Sequence, residues 1–412
     1  MLNKLKIRIL RLSPKQLAII EIISVVLLFT VTLLIRLKFV FGINHPPLVT
    51  DAFNYDVMTK QFLDKGFLGY LSDKPNSYIT PGYPFFLAVI YRIFGYSHGS
   101  PLTQVRVIQS VFGALTGVVI YLLGKKVRNK PTGLFAGIAY AFYPTFAWSC
   151  TLLLTECIYN FFFLLYMYMQ VRVIESKSKL EAFICGIVFT IAVLIRPLIF
   201  PLIIVPFLYW YFFMSKRDAR VIKVSLYTLA GILLLMIPWW IRNVVVLNKF
   251  ILLATQTGNP LIAGTFPYYQ NIDVSRYNVK DQFSEGIRLI VHGIMTQPLL
   301  YLKWFTIGKL NFLFNYPWYY APSEFTFLNS IPILHHMLVV LGWIGVLFSM
   351  VKDRLRIISV WAILLTAFQL LFVPEARYAY SVLSLFTILA GFLLDYIFLR
   401  SKESHVKVIK NI

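Results

Sequence analysis

The sequence predicts an all-α polytopic membrane protein, and three observations predict it. Of the 412 residues, 58% are hydrophobic and only 14% charged, and the mean hydropathy is +0.72; a soluble globule of that length needs more polar surface. Apolar runs of membrane-spanning length alternate with short charged connections. The basic residues cluster on every second connection, as cytoplasmic loops do. A net charge of +22 could point to nucleic acid, but Lys and Arg distributed this way mark topology, so no nucleic-acid partner is expected.

The N-terminal MLNKLKIRILRLSPK leads into an apolar run from Gln16 to Val40. That run is too long for a signal-peptide core and no small-residue cleavage site follows, so an uncleaved first helix is expected, basic end in the cytoplasm. Further spans are expected at 105–123, 131–149, 153–171, 181–195, 197–214, 221–240, 330–351, 356–373 and 378–399, about ten crossings in all. With the N-terminus inside, every basic cluster falls inside: Lys125, Lys126, Arg128 and Lys130; Arg172, Lys177 and Lys179; Lys216, Arg217, Arg220 and Lys223; Lys352, Arg354 and Arg356; and Arg400, Lys402, Lys407 and Lys410. Both termini are then expected in the cytoplasm, and no further soluble domain is expected from the short charged tail.

The chain reads as one membrane domain over 1–412. It has a first external loop at 41–104, a large external loop at 241–329 between the seventh and eighth spans, and a C-terminal part at 330–412 with three helices and the tail. Two long loops on one face point to an extracytoplasmic site. The run 82–96, GYPFFLAVIYRIFGY, is short and carries Arg92, so it is placed as a helix at the outer interface or re-entering partway. The aromatic run 299–320 is placed the same way, and whether either one crosses is left open.

The first loop opens with VTDAFNYDVMTKQFLDKG, residues 49–66. Thr50 reads as an N-cap and Asp51 as the first helical residue, with Phe53, Val57, Met58 and Phe62 as the apolar face of a juxtamembrane helix. Asp51 and Tyr55, four apart, share a face. A first-turn carboxylate also favours the helix dipole by ~0.3–1 kcal/mol without any further role, and Glu156, after Thr155, has the same alternative. Arg196 lies between two apolar runs and before Pro197, where a charge is costly unless paired or functional. Arg377 has Glu375 as a local ion-pair rival, and Arg242 also reads as a membrane-boundary residue. Gly258 and Gly264 in TQTGNPLIAGTF allow close backbone approach, though Gly-Asn-Pro is ordinary turn vocabulary. His335 and His336 are adjacent, do not share a helical face and have no second pair; with His45 they make no expected metal site. Cys150, Cys157 and Cys185 have spacings that suit neither zinc nor a disulfide framework. No phosphate-binding Gly-rich loop, nucleotide fingerprint or Ser-His-Asp order is present, so no nucleotide cofactor is expected.

Several stretches together carry a resemblance. They are Asp51-x-x-x-Tyr55, TPGYPFFLAVIYRIFG, RVIQSVFGALTGVVIYLLGKKVRNKPTGLFAGIAYAFYPTF with LLLTECIYNFFFLL, LIRPLIFPL at 194–202, WWIRNVVVLNKFILLATQTGNPLIAGTFP at 239–267 and PEARYAYSVLSLFTILAG at 374–391. In order and spacing the chain resembles the GT-C glycosyltransferases, in particular the bacterial branch of the dolichyl-phosphate-mannose protein mannosyltransferase family, which includes the lipid A aminoarabinose transferase (glycosyltransferase family 39-like).

The resemblance implies a GT-C-like fold with juxtamembrane helices in the first external loop. It implies inverting transfer of a hexosyl or pentosyl unit from a polyprenyl-phosphate donor to a protein, lipid or cell-wall glycan, on the outer face of a bacterial plasma membrane. Such chemistry needs a base at the acceptor hydroxyl and positive charge on the departing phosphate. Asp51 is the implied base or acceptor-orienting group. Glu156, where the family often has Asp, is the second carboxylate, orienting the acceptor or helping to hold a divalent metal. Arg196, Arg242 and Arg377 are phosphate candidates, and Tyr55, Tyr83, Gly258, Asn259 and Tyr378 are candidate substrate contacts. Metal ligands, donor sugar and acceptor stay open. A transporter or flippase is the first alternative, but no internal repeat supports it. A polymerase or ligase of lipid-linked saccharides is the second, and Asp51 in the first loop is the feature that separates it.

Overall fold

The computed structural model describes residues 13–410 other than 46, 207–218, 257, 280, 319–330 and 351–353, and among these every regular element is helical. Helix α1 (Pro14–Gly42) starts on a capping box, Ser13 accepting from the Gln16 amide and the Gln16 side chain from that of Ser13, with Pro14 in the first turn. It leans on α4 (Leu102–Val127) and α5 (Lys130–Phe142) through Leu28, Thr32 and Arg36, and leaves most of its apolar surface outward. Between α1 and α4 lies the first loop, where α2 (Thr50–Lys65) packs on α3 (Gly82–Phe94).

Helices α6 (Glu156–Ser176), α7 (Lys179–Ile195) and α8 (Ala219–Leu247) follow. The backbones of α7 and α8 touch: a Cβ on Gly186 would lie 2.0 Å from the Thr228 carbonyl oxygen, and one on Gly231 2.1 Å from that of Phe183. Small residues at the contact are how helices associate in lipid, where burial from water no longer drives them together. The large loop holds α9 (Gly258–Ala263), α10 (Gln282–Thr296), α11 (Pro298–Lys303) and α12 (Lys309–Phe314), the last two joined by a π-helical turn at Trp304–Gly308. Then come α13 (Ile331–Ser349), α14 (Arg356–Gln369) and the central α15 (Tyr380–Lys410), which buries Leu385, Phe386 and Leu389 against α5 and α13.

Among the described residues six helices, α1, α4, α6, α8, α13 and α15, are long and apolar enough to cross a membrane, and the chain is an integral membrane protein. At three other expected spans lie the shorter helices α5, α7 and α14, so the structure does not establish the expected count of about ten crossings. Helix α5 stops early because Pro144 drives Tyr143 out of the helical region, to ψ 115°. The expected span at 197–214 opens instead as a 3-10 segment, Pro197–Ile204, with Pro201 inside. Residues 207–214 of that span lie outside the described residues, as do Lys216, Arg217, Lys352 and the end of the 299–320 run. Helix α3 rises about 20 Å, against the ~30 Å of a hydrocarbon core, so it is too short to cross.

Several of the basic clusters gather at one end of the bundle. Lys125 and Lys130 pair with Glu21, Lys126 and Arg354 with Glu175, and Arg172 with Glu181. Lys125 lies about 24 Å of helix rise along α4 from Gln109, and Gln109 contacts the turn that leads into the opposite end.

Candidate active site

Asp51 enters the site from the first turn of α2. The helix begins at Thr50, after an extended Val49 and with no side-chain cap, so Thr50 is not the N-cap the spacing predicts. Its apolar face is also rotated from expectation: Met58 and Thr59 are buried, while Phe53 is 52% exposed. The first loop folds back over α2 and covers that side. In this orientation Asp51 and Tyr55 face a cavity of about 280 Å³.

Five separate parts of the chain meet in that cavity, one of them the large loop through Leu253, Ala254, Gln256 and Pro260. The first loop supplies Asp51, Tyr55 and Tyr70; the head of α6 supplies Glu156; the end of α7 supplies Arg196; and the turn before α15 supplies Arg377 and Tyr378. Asp51 accepts a hydrogen bond from the Tyr70 hydroxyl at 2.7 Å on Oδ1 and from Arg377 Nη1 at 3.1 Å on Oδ2. Arg377 Nε is 2.7 Å from Glu375 Oε2, a charge contact in which the N–H is not directed at the carboxylate. Glu156 pairs with Arg196, whose Nη1 also reaches Thr155 Oγ1 at 3.4 Å. The Tyr378 ring serves both guanidiniums, 4.9 Å from Arg196 Cζ and 5.1 Å from Arg377 Cζ.

Three carboxylates therefore face two guanidiniums, one negative charge in excess, in a partly dry space. Burial works against the charge of Arg377, but Tyr378, Glu156, Glu375 and Asp51 outweigh it and hold the guanidinium protonated. Burial first, and then the neighbouring Asp51, push the Tyr55 and Tyr70 hydroxyls well above the usual phenol range. Both tyrosines are hydrogen-bond donors at neutral pH, not bases.

Four of the sequence candidates do not line the cavity. Tyr83 is fully buried behind Tyr55, the rings meeting edge to face at 5.0 Å. Arg242 grips the first loop, with Nη1 3.0 Å from the Asn76 carbonyl oxygen and 2.9 Å from Ser77 Oγ. Gly258 is pressed against α10, where a Cβ would lie 2.4 Å from that of Gln282; the missing side chain serves a helix contact. Asn259 donates its backbone N–H to Gln256 at 3.1 Å, and its neighbours Gln256 and Pro260 line the cavity instead. His335 is satisfied by Tyr143 at 2.6 Å and the Phe314 carbonyl at 2.8 Å, and His45 lies 2.8 Å from the Val40 carbonyl. Among the described residues no three His, Cys, Asp or Glu side chains group to hold a metal ion.

Sequence reasoning missed Tyr70 and Gln369. Gln369 Nε2 donates to the Tyr378 carbonyl at 2.7 Å and so braces the arginine turn. Tyr70 is fixed by Asn76, whose side chain bonds the Tyr70 amide at 3.2 Å and its carbonyl at 2.9 Å, and by Tyr78, stacked at 5.7 Å. The Ser, Asn and Pro content of 72–81 announces a turn, but nothing periodic there says which side chain points inward.

Residues 73–241 match the family described as dolichyl-phosphate-mannose-protein mannosyltransferase. Among solved structures, the chain is similar to the Archaeoglobus fulgidus oligosaccharyltransferase tethered with an acceptor peptide containing the NVT sequon, with a TM-score of 0.58 and 15% identity over 91% of this chain and 50% of that one. The same archaeal protein, in complex with an inhibitory peptide and a dolichol-phosphate, gives a TM-score of 0.55 and 16% identity over 93% and 52%. ArnT from Cupriavidus metallidurans in the apo state gives 0.55 and 14% over 90% and 59%. The chain thus spans about half the length of the solved structures it matches. No curated protein sequence matches it. The chain has the GT-C fold, and the family resemblance read from its sequence is borne out over 73–241.

Proposed function

We propose that this chain is an inverting GT-C glycosyltransferase that moves a single sugar from a polyprenyl-phosphate donor to a hydroxyl-bearing acceptor on the extracytoplasmic face of the membrane. The observation that carries the reading is the convergence of Asp51, Glu156, Arg196 and Arg377, from sequence positions up to 326 apart, in one cavity at the end away from the basic clusters. Charge at that depth is retained where it is paired or functional, and here it is paired across a space open to a ligand. The matched family and the dolichol-phosphate bound to the archaeal relative support a lipid-phosphate donor. The volume of about 280 Å³ lies at the lower end of ligand pockets and suits one sugar ring with its phosphate better than an oligosaccharide.

In this reading Asp51 takes the proton of the acceptor hydroxyl as its oxygen attacks the anomeric carbon. The bond from that carbon to the phosphate oxygen breaks on the opposite side, and the polyprenyl phosphate leaves with its new charge on Arg377 and Arg196. Both arginines are held by carboxylates before the donor arrives, so a phosphate must displace or share those contacts.

The test is transfer of radiolabelled sugar from a panel of purified polyprenyl-phosphate donors, in membranes with matched amounts of wild type and Asp51→Asn. Transfer by wild type alone is expected, and the active donor names the sugar. Equal transfer by the two would end the role of Asp51.

A further inference from the structure

The turn that leads into Glu156 cannot hold itself. Between the short helix Pro144–Trp148 and α6, the carbonyl groups of Cys150, Thr151 and Leu152 point away from any helical partner, and Cys150 and Thr151 are buried. Buried carbonyls need donors, and α4 supplies them. Arg106 Nε donates to the Thr151 carbonyl at 2.9 Å; one turn on, Gln109 Nε2 donates to Cys150 at 2.9 Å and to Leu152 at 2.8 Å. Cys157 Sγ donates back to the Gln109 carbonyl at 3.3 Å.

The other end of the Gln109 amide faces the first loop. Its Oε1 accepts from the Tyr83 hydroxyl at 2.9 Å, and both side chains are fully buried. The Tyr83 ring meets the Tyr55 ring at 5.0 Å, Tyr55 meets Tyr70 at 5.7 Å, and the Tyr70 hydroxyl holds Asp51. Beside Tyr83, Gly82 lies against the end of α7, where a Cβ would be 2.6 Å from the Leu194 carbonyl carbon, two residues before Arg196. One amide thus joins the turn that carries Glu156 to the packing that carries Asp51.

Resting on the glycosyltransferase reading, we infer that Gln109 and Tyr83 are positioning residues that set the separation of Asp51 and Glu156. Neither touches the cavity. They act through the 150–152 turn on one side and through Tyr55 and Tyr70 on the other. A group that only places catalytic side chains changes the rate more than donor binding, because small displacements are costly in the transition state.

Gln109→Met keeps the length of the side chain and removes both donors and the acceptor, while Tyr83→Phe removes one hydroxyl. With the wild-type full chain in nanodiscs, Gln109→Met is expected to lower kcat about a hundredfold, a loss typical of misplaced groups, with donor KM within about threefold. Tyr83→Phe is expected to lower kcat about tenfold, and the double variant to match Gln109→Met alone, since one link cannot be broken twice. Val105→Ala, a buried packing change on the same helix, serves as the folding control and is expected to leave kcat per folded molecule unchanged. Unchanged kcat in Gln109→Met, additive losses in the double variant, or an equal loss in Val105→Ala would overturn the inference.

A second readout does not depend on turnover. Backbone hydrogen exchange across 149–157 is expected to quicken at least about tenfold in Gln109→Met and to stay at the wild-type rate in Asp51→Asn. If wild type transfers nothing from any donor in the panel, the glycosyltransferase reading fails, and exchange alone decides whether Gln109 holds the turn: no quickening overturns the inference.

Discussion

Asp51 and Asp56 stand on the same helix, just over one turn apart, and the molecule treats them in opposite ways. Asp56 is 6% exposed and closed on every side, accepting from Tyr91 and Ser100 at 2.5 Å each and pairing with Lys60 at 2.9 Å. All its partners come from the first loop and α2 itself. Asp51 also takes a tyrosine hydroxyl, but its side chain is 33% exposed to the cavity and its cation arrives from the other end of the chain. A carboxylate satisfied by local partners and shut from solvent ties a loop together. One that shares a distant arginine across open space is available to a ligand.

The largest expected effect separates the two directly. Asp51→Asn should lower transfer by 10²- to 10⁴-fold, about the range of a general base, with little change in thermal unfolding. Asp56→Ala should do the reverse. It strands the Tyr91 and Ser100 hydroxyls at a cost of about 2–3 kcal/mol, read as a lower melting temperature in detergent, while transfer per folded molecule is retained. Matching losses of activity in the two variants would erase the contrast.

The same logic sharpens the two arginines. Arg377→Ala removes a charge-assisted contact worth about 2–3 kcal/mol, or roughly 30- to 150-fold in kcat/KM for the donor. Arg196→Ala does more harm to the fold, because it leaves Glu156, whose side chain is 4% exposed, as a buried charge without its partner. Adding Glu156→Gln should restore the melting temperature of Arg196→Ala but not its transfer. Recovery of both would mean that the pair is structural and that Arg377 alone meets the phosphate.

A smaller effect is expected at Tyr70. Tyr70→Phe removes one of the two donors that orient Asp51, and about a tenfold fall in kcat should follow, since the remaining contact to Arg377 still aims the carboxylate. A rise in donor KM with kcat intact would instead make Tyr70 a binding residue.

These positions also show what a reading of the sequence reaches. Asp51, Glu156, Arg196 and Arg377 each stand where an apolar run ends, and a charge there is conspicuous, so the cavity walls were legible before the fold was. Gln109 was harder, although a polar residue inside an apolar span is a signal in itself. Tyr83 and Arg242 sit in stretches that carry the sequence resemblance, yet one lies behind the wall and the other ties down residues 68–77. Only the path of the first loop across α2 and α8 decides that, and loop paths have no period to read. Gly258 fails for a related reason: turn vocabulary does not reveal that the glycine is pressed against α10.

The smallest expected effect sets another buried cation beside Arg377. Lys309 is fully buried and donates to the carbonyls of Leu370 at 2.7 Å and Phe372 at 3.0 Å, the turn that leads to the arginine. Burial pulls its pKa down to about 6, and a neutral amine still has two N–H groups for two carbonyls. A guanidinium cannot shed its proton in this way, which is why Arg377 stays charged and needs its carboxylates. Between about 6 and the free lysine value of ~10.4 the unfolded chain binds a proton that the folded one does not, so stability rises with pH across that window and is lost as pH falls toward 6. The Phe305 ring, 3.7 Å from Nζ, favours the cation and trims the slope. Melting curves from pH 6 to 9 should therefore be flatter for Lys309→Met than for wild type. Parallel curves would mean that Lys309 keeps its proton in the fold and that the two cations are held by the same means.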